Sequence, residues 1–170
     1  MRKKIFQGRV LSLNVYKISI KGRKVTREVI EHPGAAAMLA MEKGKVLLVK
    51  QHRFPHGFVL EIPAGTLKKG ESTRKCAFRE LKEETGYEAK KMTPLVKYYP
   101  SIGYNTEIIH CFVASGIKKV SGLELDDDEI ISVVKIDFKK VLRMVLSGKI
   151  TDSKTICAIL TYAMKKKIYV

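Results

Sequence analysis

Three glutamates with the spacing of one helix face are the residues of this sequence best suited to chemistry. Glu80, Glu83 and Glu84 lie within residues 72–84, which contain helix formers and neither Pro nor Gly. At about 100° per residue, their side chains fall within roughly a 100° arc. Carboxylates this close raise one another's pKa, and a bound hard cation offsets that cost. The pattern indicates a divalent-cation site, although for the helix alone an exposed Glu-rich surface is an equally good interpretation.

The loop that precedes this helix superficially resembles a phosphate-binding P-loop. Gly65 and Gly70 have the spacing of the two glycines in that motif. Glu71, however, occupies the position at which a P-loop has its phosphate-binding lysine. A glutamate there repels phosphate unless a metal ion intervenes, so the P-loop interpretation fails.

Loop and helix together match the pattern G-x5-E-x7-R-E-U-x-E-E-x-G-U, where U is an aliphatic residue and x is any residue. The last U position departs from the pattern, because it holds Tyr87. The matching residues are Gly65, Glu71, Arg79, Glu80, Leu81, Glu83, Glu84 and Gly86. This segment resembles the Nudix box, the defining motif of the Nudix hydrolase family.

The resemblance implies a metal site and a brace that supports it. The implied cation is Mg²⁺ or alternatively Mn²⁺, and the implied ligands are the Ala64 carbonyl, Glu80, Glu83 and Glu84. Such a cation neutralises phosphate charge and lowers the pKa of a bound water, which becomes the nucleophile. The resemblance also implies a salt bridge between Arg79 and Glu71, and we place Arg79 and Glu83 among the catalytic residues.

Segments outside the box resemble the ADP-ribose pyrophosphatase branch of this family. Each is weak alone, and they gain specificity from their order and spacing; they are residues 27–29, 32–35, 51–53, 61–65 and 148–152. The resemblance implies hydrolysis of ADP-ribose, a nucleoside diphosphate sugar, to AMP and ribose 5-phosphate. The alternative is a Nudix hydrolase for another nucleotide sugar, a dinucleotide or a dinucleoside polyphosphate.

Several positions outside the box are expected to contact the substrate. Arg27 and Arg53 are the best phosphate ligands, because a planar guanidinium can engage two oxygens, although a plain surface role is as good an interpretation for either. In this branch the amino-terminal strands reach into the partner's site, so the resemblance implies a homodimer in which Arg27 and Glu28 act across the interface. Ile102 stands where the branch usually has a proline, which affects recognition of the adenosine side. The aromatic residues nearby that could stack on a base, or pack in the core, are Tyr98, Tyr99 and Tyr104.

An acidic run covers residues 126–129, directly before a predicted strand. The branch has an acidic loop at this place, which supplies a catalytic base or an extra metal ligand. Glu129 is our first candidate for the base, and Asp127 is the second. A solvated acidic turn is the alternative, because charge runs between elements are commonly just that.

The elements that must position these residues predict an α/β fold. Alternating apolar and polar residues over positions 5–31 predict an antiparallel β arm, which we bound at residues 1–34 and expect to dimerise. Residues 35–170 are expected to form the hydrolase domain, a Nudix-type α/β/α sandwich with a mixed sheet. Its predicted strands are residues 35–41, 45–50, 58–62, 92–99, 106–114 and 130–136, and its predicted helices are residues 72–84, 138–147 and 152–166.

The composition restricts the partners and the location. The formal net charge of +16 favours anionic partners. Because the cations are dispersed as short pairs, a solvated basic surface is a better interpretation than a nucleic-acid-binding module. Three cysteines without a C-x-x-C pair indicate a reducing cytoplasm. No apolar run is long enough to predict a signal peptide or a membrane span.

Overall fold

The computed structural model describes residues 1–124 and 130–170. In these residues the chain forms a three-stranded sheet, a larger mixed sheet, a two-stranded ribbon and three helices. The strands are β1 (Arg2–Gln7), β2 (Ser12–Ile20), β3 (Arg23–Glu31), β4 (Ala35–Glu42), β5 (Lys45–Arg53), β6 (Gly57–Glu61), β7 (Ala64–Thr66), β8 (Tyr87–Glu88), β9 (Lys91–Tyr98), β10 (Ile109–Ser115), β11 (Lys118–Lys119) and β12 (Ile131–Asp137). The helices are α1 (Thr73–Thr85), α2 (Phe138–Leu146) and α3 (Ser153–Lys166).

The larger sheet has the central order β12-β5-β4-β10-β9, with β6 paired to β5 and β7 paired to β4. Strands β4 and β10 are parallel, whereas the other pairs are antiparallel, so the sheet is mixed. Helix α1 contributes Ala77 and Leu81 to a buried cluster on one face. Helices α2 and α3 contribute Val141 and Ile159 to the cluster on the other face. The predicted α/β/α sandwich is confirmed.

Side-chain and glycine caps bound helix α1 at both ends and helix α3 at its start. The Ser72 side chain accepts a hydrogen bond from the Lys75 backbone N–H, and Gly86 ends α1 in the left-handed conformation. Asp152 caps α3 in the same way by accepting from the Thr155 backbone N–H. Among the described residues, none of the helices is long and apolar enough to cross a membrane.

Strands β1, β2 and β3 form the amino-terminal arm as a separate antiparallel sheet. The arm joins the rest of the chain at Ile30, whose backbone N–H donates to the Tyr104 carbonyl at 2.7 Å. Most side chains of the arm beyond this junction are exposed. The predicted antiparallel arm is therefore present, and β1 extends it to Arg2.

Three strands of the larger sheet differ from the sequence prediction by three residues or more, and one of them is β5, which runs to Arg53 rather than to residue 50. Strand β10 begins at Ile109 rather than at residue 106, because the Thr106 backbone N–H donates to the Ile30 carbonyl of the arm. Strand β7 is absent from the prediction, since Pro63 reads as the end of a strand. The chain resumes pairing directly after that proline, where β7 lies antiparallel to β4.

Candidate active site

Arg79 on α1 holds the loop that precedes this helix. Its Nε donates to Glu71 Oε1 and its Nη2 donates to Glu71 Oε2, both at 2.9 Å, so the ion pair is bidentate. The Lys68 backbone N–H adds a further hydrogen bond to the same carboxylate. The hydrogen bonds from Arg79 lower the pKa of Glu71 to about 2. The salt bridge implied by the box resemblance is present, and it fixes loop against helix.

The remaining guanidinium nitrogen of Arg79 contacts two further carboxylates. Nη1 donates to Glu80 Oε1 at 2.5 Å and to Glu83 Oε2 at 2.8 Å. The pKa of Arg79 is raised, with the hydrogen bond to Glu71 as the largest cause and those to Glu80 and Glu83 as further causes. Arg79 therefore neutralises part of the charge on the acidic face of α1.

Glu80 lies directly against the backbone of Gly65. A Cβ atom at position 65 would stand 1.9 Å from Glu80 Cδ, so only glycine leaves room for this carboxylate. Cys76 closes the same corner, because its Sγ lies 3.5 Å from the Gly65 carbonyl oxygen. Burial raises the pKa of the Cys76 thiol to about 12. The thiol is therefore protonated at neutral pH and is not a nucleophile.

Glu84 is buried where the last turn of α1 meets the start of β7. Only 2% of the residue is exposed, and its Oε2 accepts a hydrogen bond from the Ala64 backbone N–H at 2.9 Å. Glu80 and Glu83 are less buried than Glu84. The acidic face of α1 therefore borders the core at Glu84 and opens toward solvent at Glu83.

The chemistry of these donors fits a hard divalent cation, since carboxylate and carbonyl oxygens are the ligands such ions prefer. In the part of the chain that the structure describes, no three acidic, imidazole or thiol side chains stand together as a ready cation site. Arg79 engages Glu80 and Glu83, and the Ala64 N–H engages Glu84. A cation at this face competes with Arg79 for two carboxylates.

Arg53 and Glu61 form a second bidentate ion pair. Arg53 Nε donates to Glu61 Oε1 at 2.9 Å, its Nη2 donates to Glu61 Oε2 at 3.1 Å, and Lys154 Nζ also donates to Oε2. Burial opposes ionisation of Glu61, but Arg53 and Lys154 outweigh it and lower the pKa. Burial likewise opposes the charge of Arg53, yet its pKa is raised by Glu61 and, more weakly, by Glu84. Arg53 therefore lies within electrostatic reach of the acidic face of α1.

The first turn of α3 completes this cluster. Asp152 Oδ1 accepts from Lys154 Nζ at 2.8 Å, and Asp152 Oδ2 accepts from the Thr155 hydroxyl at 2.5 Å. The Thr155 oxygen in turn accepts the backbone N–H of Ile62 at 2.8 Å, and both residues are fully buried. Hydrogen bonds therefore run without a break from α3 to Glu61 and Ile62, the two residues before Pro63.

Arg27 and Glu28 lie on β3, in exposed positions of the arm. Arg27 Nη1 donates to the Thr26 carbonyl at 3.0 Å, which keeps that contact within the arm. Among the described residues, none of the hydrogen bonds joins Arg27 or Glu28 to α1. The described structure therefore leaves Arg27 and Glu28 on the exposed surface of the arm.

The turn after β9 separates the aromatic candidates into two groups. Tyr99, Ile102 and Tyr104 expose large parts of their side chains, and Ile102 is the most exposed at 76%. Tyr98 instead packs against the buried cluster that includes α3, and burial raises the pKa of its hydroxyl. Tyr99 and Tyr104 are therefore largely exposed, whereas Tyr98 is only partly exposed.

The acidic-loop candidates Asp127 and Glu129 lie outside the described residues. Directly before that segment, the Glu124 backbone N–H donates to the Glu83 carbonyl at 2.8 Å. The described chain therefore reaches α1 immediately before the acidic run begins.

Glu61 and Lys154 are brought to the site by the tertiary structure, and no motif of the sequence predicts a role for them. A signal for Glu61 does exist, because an acidic residue that follows the apolar residues 58–60 and precedes Ile62 needs a partner if the strand is buried. Lys154 carries no such signal, since it stands 93 positions from Glu61 in a chain rich in lysine.

A comparison with models of protein families identifies the family of this chain. A family model described as the NUDIX domain matches residues 30–156, well over half of the sequence. The chain belongs to the Nudix family. It is a Nudix hydrolase, as its box predicts, and the match begins at the end of β3, where the arm gives way to the larger sheet. Nudix hydrolases in general require divalent cations, in agreement with the acidic face of α1.

Individual relatives match this Nudix hydrolase over at least four fifths of its length. The chain is 40% identical to an ADP-ribose pyrophosphatase of Bacillus subtilis (strain 168), over 98% of this chain and 92% of the relative. It is 41% identical to a methanol dehydrogenase activator of Bacillus methanolicus, over 91% and 86%. It is 38% identical to a GDP-mannose pyrophosphatase of Yersinia enterocolitica, over 81% and 76%.

A solved structure described as an ADP compounds hydrolase has the same fold. The TM-score is 0.84 at 18% sequence identity, and the match covers 99% of this chain and 95% of the other. The arm and the sandwich therefore both have counterparts in a known architecture.

Proposed function

We propose that this Nudix hydrolase cleaves ADP-ribose to AMP and ribose 5-phosphate with Mg²⁺ as its cation. The observation that carries the proposal is that the Glu84 carboxylate accepts from the Ala64 backbone N–H and lies within electrostatic reach of the Arg53 guanidinium. The relative from Bacillus subtilis, an ADP-ribose pyrophosphatase by name, supports the choice of substrate. In the reaction, water adds to one phosphorus of the diphosphate and the bridging oxygen leaves with the other.

The cation ligands in this proposal are the carboxylates of Glu80, Glu83 and Glu84 and the carbonyl of Ala64. When bound, Mg²⁺ supplies charge neutralisation for the diphosphate and a lowered pKa for water. Arg79 retains its two hydrogen bonds to Glu71 when its other nitrogen gives up Glu80 and Glu83. The loop therefore stays attached to α1 while the acidic face changes partners.

Arg53 is proposed to bind the diphosphate. Glu61 already engages its Nε and Nη2, while 47% of the side chain is exposed. The guanidinium is thus fixed in orientation before a substrate arrives, which lowers the entropy lost on binding. Among the described residues, none accepts a hydrogen bond from its Nη1, which can donate to a phosphate oxygen.

Glu129, with Asp127 as the second candidate, is proposed to take the proton from the attacking water. A carboxylate base suits this task if it can reach the water within hydrogen-bonding distance. Glu124, which bonds to the Glu83 carbonyl, supports a short path from the acidic run to α1.

The adenosine side is proposed to bind between the arm of a second copy and the turn after β9. Residues 1–34 then serve as a dimerising arm, and Arg27 and Glu28 act across the interface on the partner's substrate. The exposed apolar residues of β2 and the accessible rings of Tyr99 and Tyr104 support this arrangement. Ile102 lies on the same turn and is proposed to contact the substrate in place of the branch's proline.

The chain contains three free thiols, Cys76, Cys111 and Cys157. Thiols without disulfides are typical of reducing compartments, so we propose a cytoplasmic location.

The second candidate function is hydrolysis of another nucleotide sugar. It is favoured by the GDP-mannose pyrophosphatase relative and by the absence of the branch's proline at Ile102. Both candidates use the same acidic face and differ only in the groups that bind the base and the sugar.

Product analysis in Mg²⁺ separates these functions. ADP-ribose, GDP-mannose, ADP-glucose and a diadenosine polyphosphate are compared at equal concentrations, with products separated by chromatography. We expect AMP and ribose 5-phosphate, and the highest kcat/KM for ADP-ribose. A higher kcat/KM for GDP-mannose would replace the substrate and leave the chemistry intact, whereas no turnover of any of the four would refute both.

A further inference from the structure

Glu61 is a buried carboxylate that belongs neither to the Nudix box nor to the proposed cation ligands. It is 2% exposed and accepts hydrogen bonds from both Arg53 and Lys154. Lys154 is shared with Asp152, so two cations and two carboxylates form one cluster without net charge. A buried carboxylate is strongly unfavourable when its partners are removed, so this cluster is a fixed feature of the fold.

The charge balance of the cluster decides how attractive Arg53 is to a phosphate. The Arg53 side chain is 47% exposed, whereas the side chain of Lys154 is only 12% exposed and that of Glu61 is buried. Without Lys154, the cluster would carry a net negative charge next to the guanidinium. Because the cluster is partly buried, a negative charge a few ångströms from the guanidinium is only weakly screened by solvent. It would repel an approaching diphosphate.

A second contact from the same helix turn acts on the backbone instead. The buried Thr155 oxygen accepts the Ile62 N–H at 2.8 Å, and Asp152 orients the Thr155 hydroxyl. Ile62 is followed by Pro63, whose φ is restricted, and then by Ala64. The Ala64 N–H is bound to Glu84 on the far side. Residues 62–64 are thus held between α3 and α1.

We propose that the first turn of α3 is a positioning element of the active site, with two separable effects. Lys154 acts through Glu61 on Arg53 and so on substrate binding. Thr155 acts through Ile62 on the Ala64 carbonyl and so on cation binding and turnover. The inference rests on the proposed roles of Arg53 and Ala64, and it assigns Lys154 and Thr155 as positioning residues that touch neither substrate nor cation.

The effect of Lys154 is tested with Lys154→Met, which removes the charge and keeps most of the length. We expect KM for ADP-ribose to rise about 10-fold while kcat stays within about 2-fold, because the lost interaction affects binding uniformly. Titration calorimetry of ADP-ribose into metal-free protein should give the same loss of affinity. Lys154→Arg, which restores a cation, should return KM toward the wild-type value. Lys166→Met, on the same helix, is the matched control and should leave KM unchanged.

The effect of Thr155 is tested with Thr155→Val, which has nearly the same shape and lacks the hydroxyl. We expect kcat to fall about 10- to 100-fold, the scale of a small displacement in an active site, with KM within about 2-fold. Mn²⁺ affinity, followed by electron paramagnetic resonance of the free ion, should weaken about 10-fold. Thr155→Ser should restore both. Thr161→Val is the control on the same helix.

These experiments test the roles of Lys154 and Thr155 whether or not ADP-ribose is the preferred substrate. If GDP-mannose is the preferred substrate, the KM and kcat effects are measured on GDP-mannose, and Mn²⁺ affinity needs no substrate at all. A purely structural role would lower Tm in both variants and leave KM, kcat and Mn²⁺ affinity as in the controls, which would overturn the inference. Equal losses in KM and kcat for both variants would overturn the division of roles.

Discussion

The Glu84 carboxylate accepts a hydrogen bond from the Ala64 backbone N–H at 2.9 Å, and this contact joins the last turn of α1 to the start of β7. The same residues contribute a carboxylate and a carbonyl to the proposed cation site. Because Glu84 is buried while Arg79 engages Glu80 and Glu83, Glu84 is the acidic residue whose position depends least on Arg79. A substitution of Glu84 therefore tests the metal site with the least disturbance of the hydrogen bonds made by Arg79.

Glu84→Gln is expected to reduce kcat by about three orders of magnitude. Metal activation of water and phosphate is worth several kcal/mol, and the amide is a poor cation ligand. The glutamine oxygen can still accept from Ala64, so Tm should change little. Steady-state kinetics in Mg²⁺ provide the measurement, and the exposed Glu88→Gln serves as the control. Wild-type turnover in Glu84→Gln would remove Glu84 from the metal site.

Gly65→Ala is expected to abolish most turnover although it adds one methyl group. The new Cβ would stand 1.9 Å from Glu80 Cδ, so the carboxylate must leave its place. Mn²⁺ binding should weaken together with kcat. Gly122→Ala is a suitable control, because a Cβ there meets nothing within 4 Å. If Gly65→Ala bound Mn²⁺ as the wild type does, Glu80 would not depend on this close approach.

Glu71→Gln is expected to lower the free energy of unfolding by about 1–3 kcal/mol at pH 7, because it breaks a charged bidentate pair with Arg79. The pKa of Glu71 falls from 4.5 to about 2 on folding, so the wild-type carboxylate contributes its full stability above pH 4.5 and loses it as pH falls toward 2. The difference between wild type and variant should therefore narrow with acid. Urea unfolding at neutral and acidic pH measures it, with Glu88→Gln as the control, and a difference independent of pH would contradict the assignment.

Tyr104→Ala is expected to raise KM for ADP-ribose about 2- to 10-fold, the scale of one aromatic contact, with little change in kcat. The ring is exposed, while the Tyr104 backbone carbonyl binds Ile30 and is unaffected by truncation. Tyr169→Ala removes another exposed ring near the end of the chain as a control. An unchanged KM would exclude Tyr104 from base recognition.

The protein is expected to have about twice its chain mass of 19.2 kDa in solution. Ile18 and Ile20 are exposed and lie two residues apart on β2, hence on one face of the arm. The double change of Ile18→Lys and Ile20→Lys should yield monomer by light scattering, while Ser19→Lys on the opposite face should not. KM should rise with dissociation if Arg27 acts across the interface. A wild-type monomer would refute the dimerising arm.

Much of the site follows from local patterns that a sequence displays directly. Helical periodicity places Glu80, Glu83 and Glu84 on one face of α1, and caps at Ser72 and Gly86 set the ends of the helix. Box spacing also implies the salt bridge between Arg79 and Glu71 because both lie in one loop-helix unit. The fold class follows in the same way, from the alternation of strand and helix signals.

The sequence by itself thus determined the fold family, the acidic face and the hydrolase chemistry. Only the tertiary structure decided that Glu61 is paired with both Arg53 and Lys154, and that Thr155 holds the Ile62 backbone. The physical reason is the separation in sequence between the residues that make contact. Local periodicity indicates which side of an element faces the core, whereas a contact between residues 93 positions apart depends on how α3 packs on the face of the sheet. Because Glu61 is buried and Lys154 lies against it, the two residues form a fixed ion pair that neither residue indicates in the sequence.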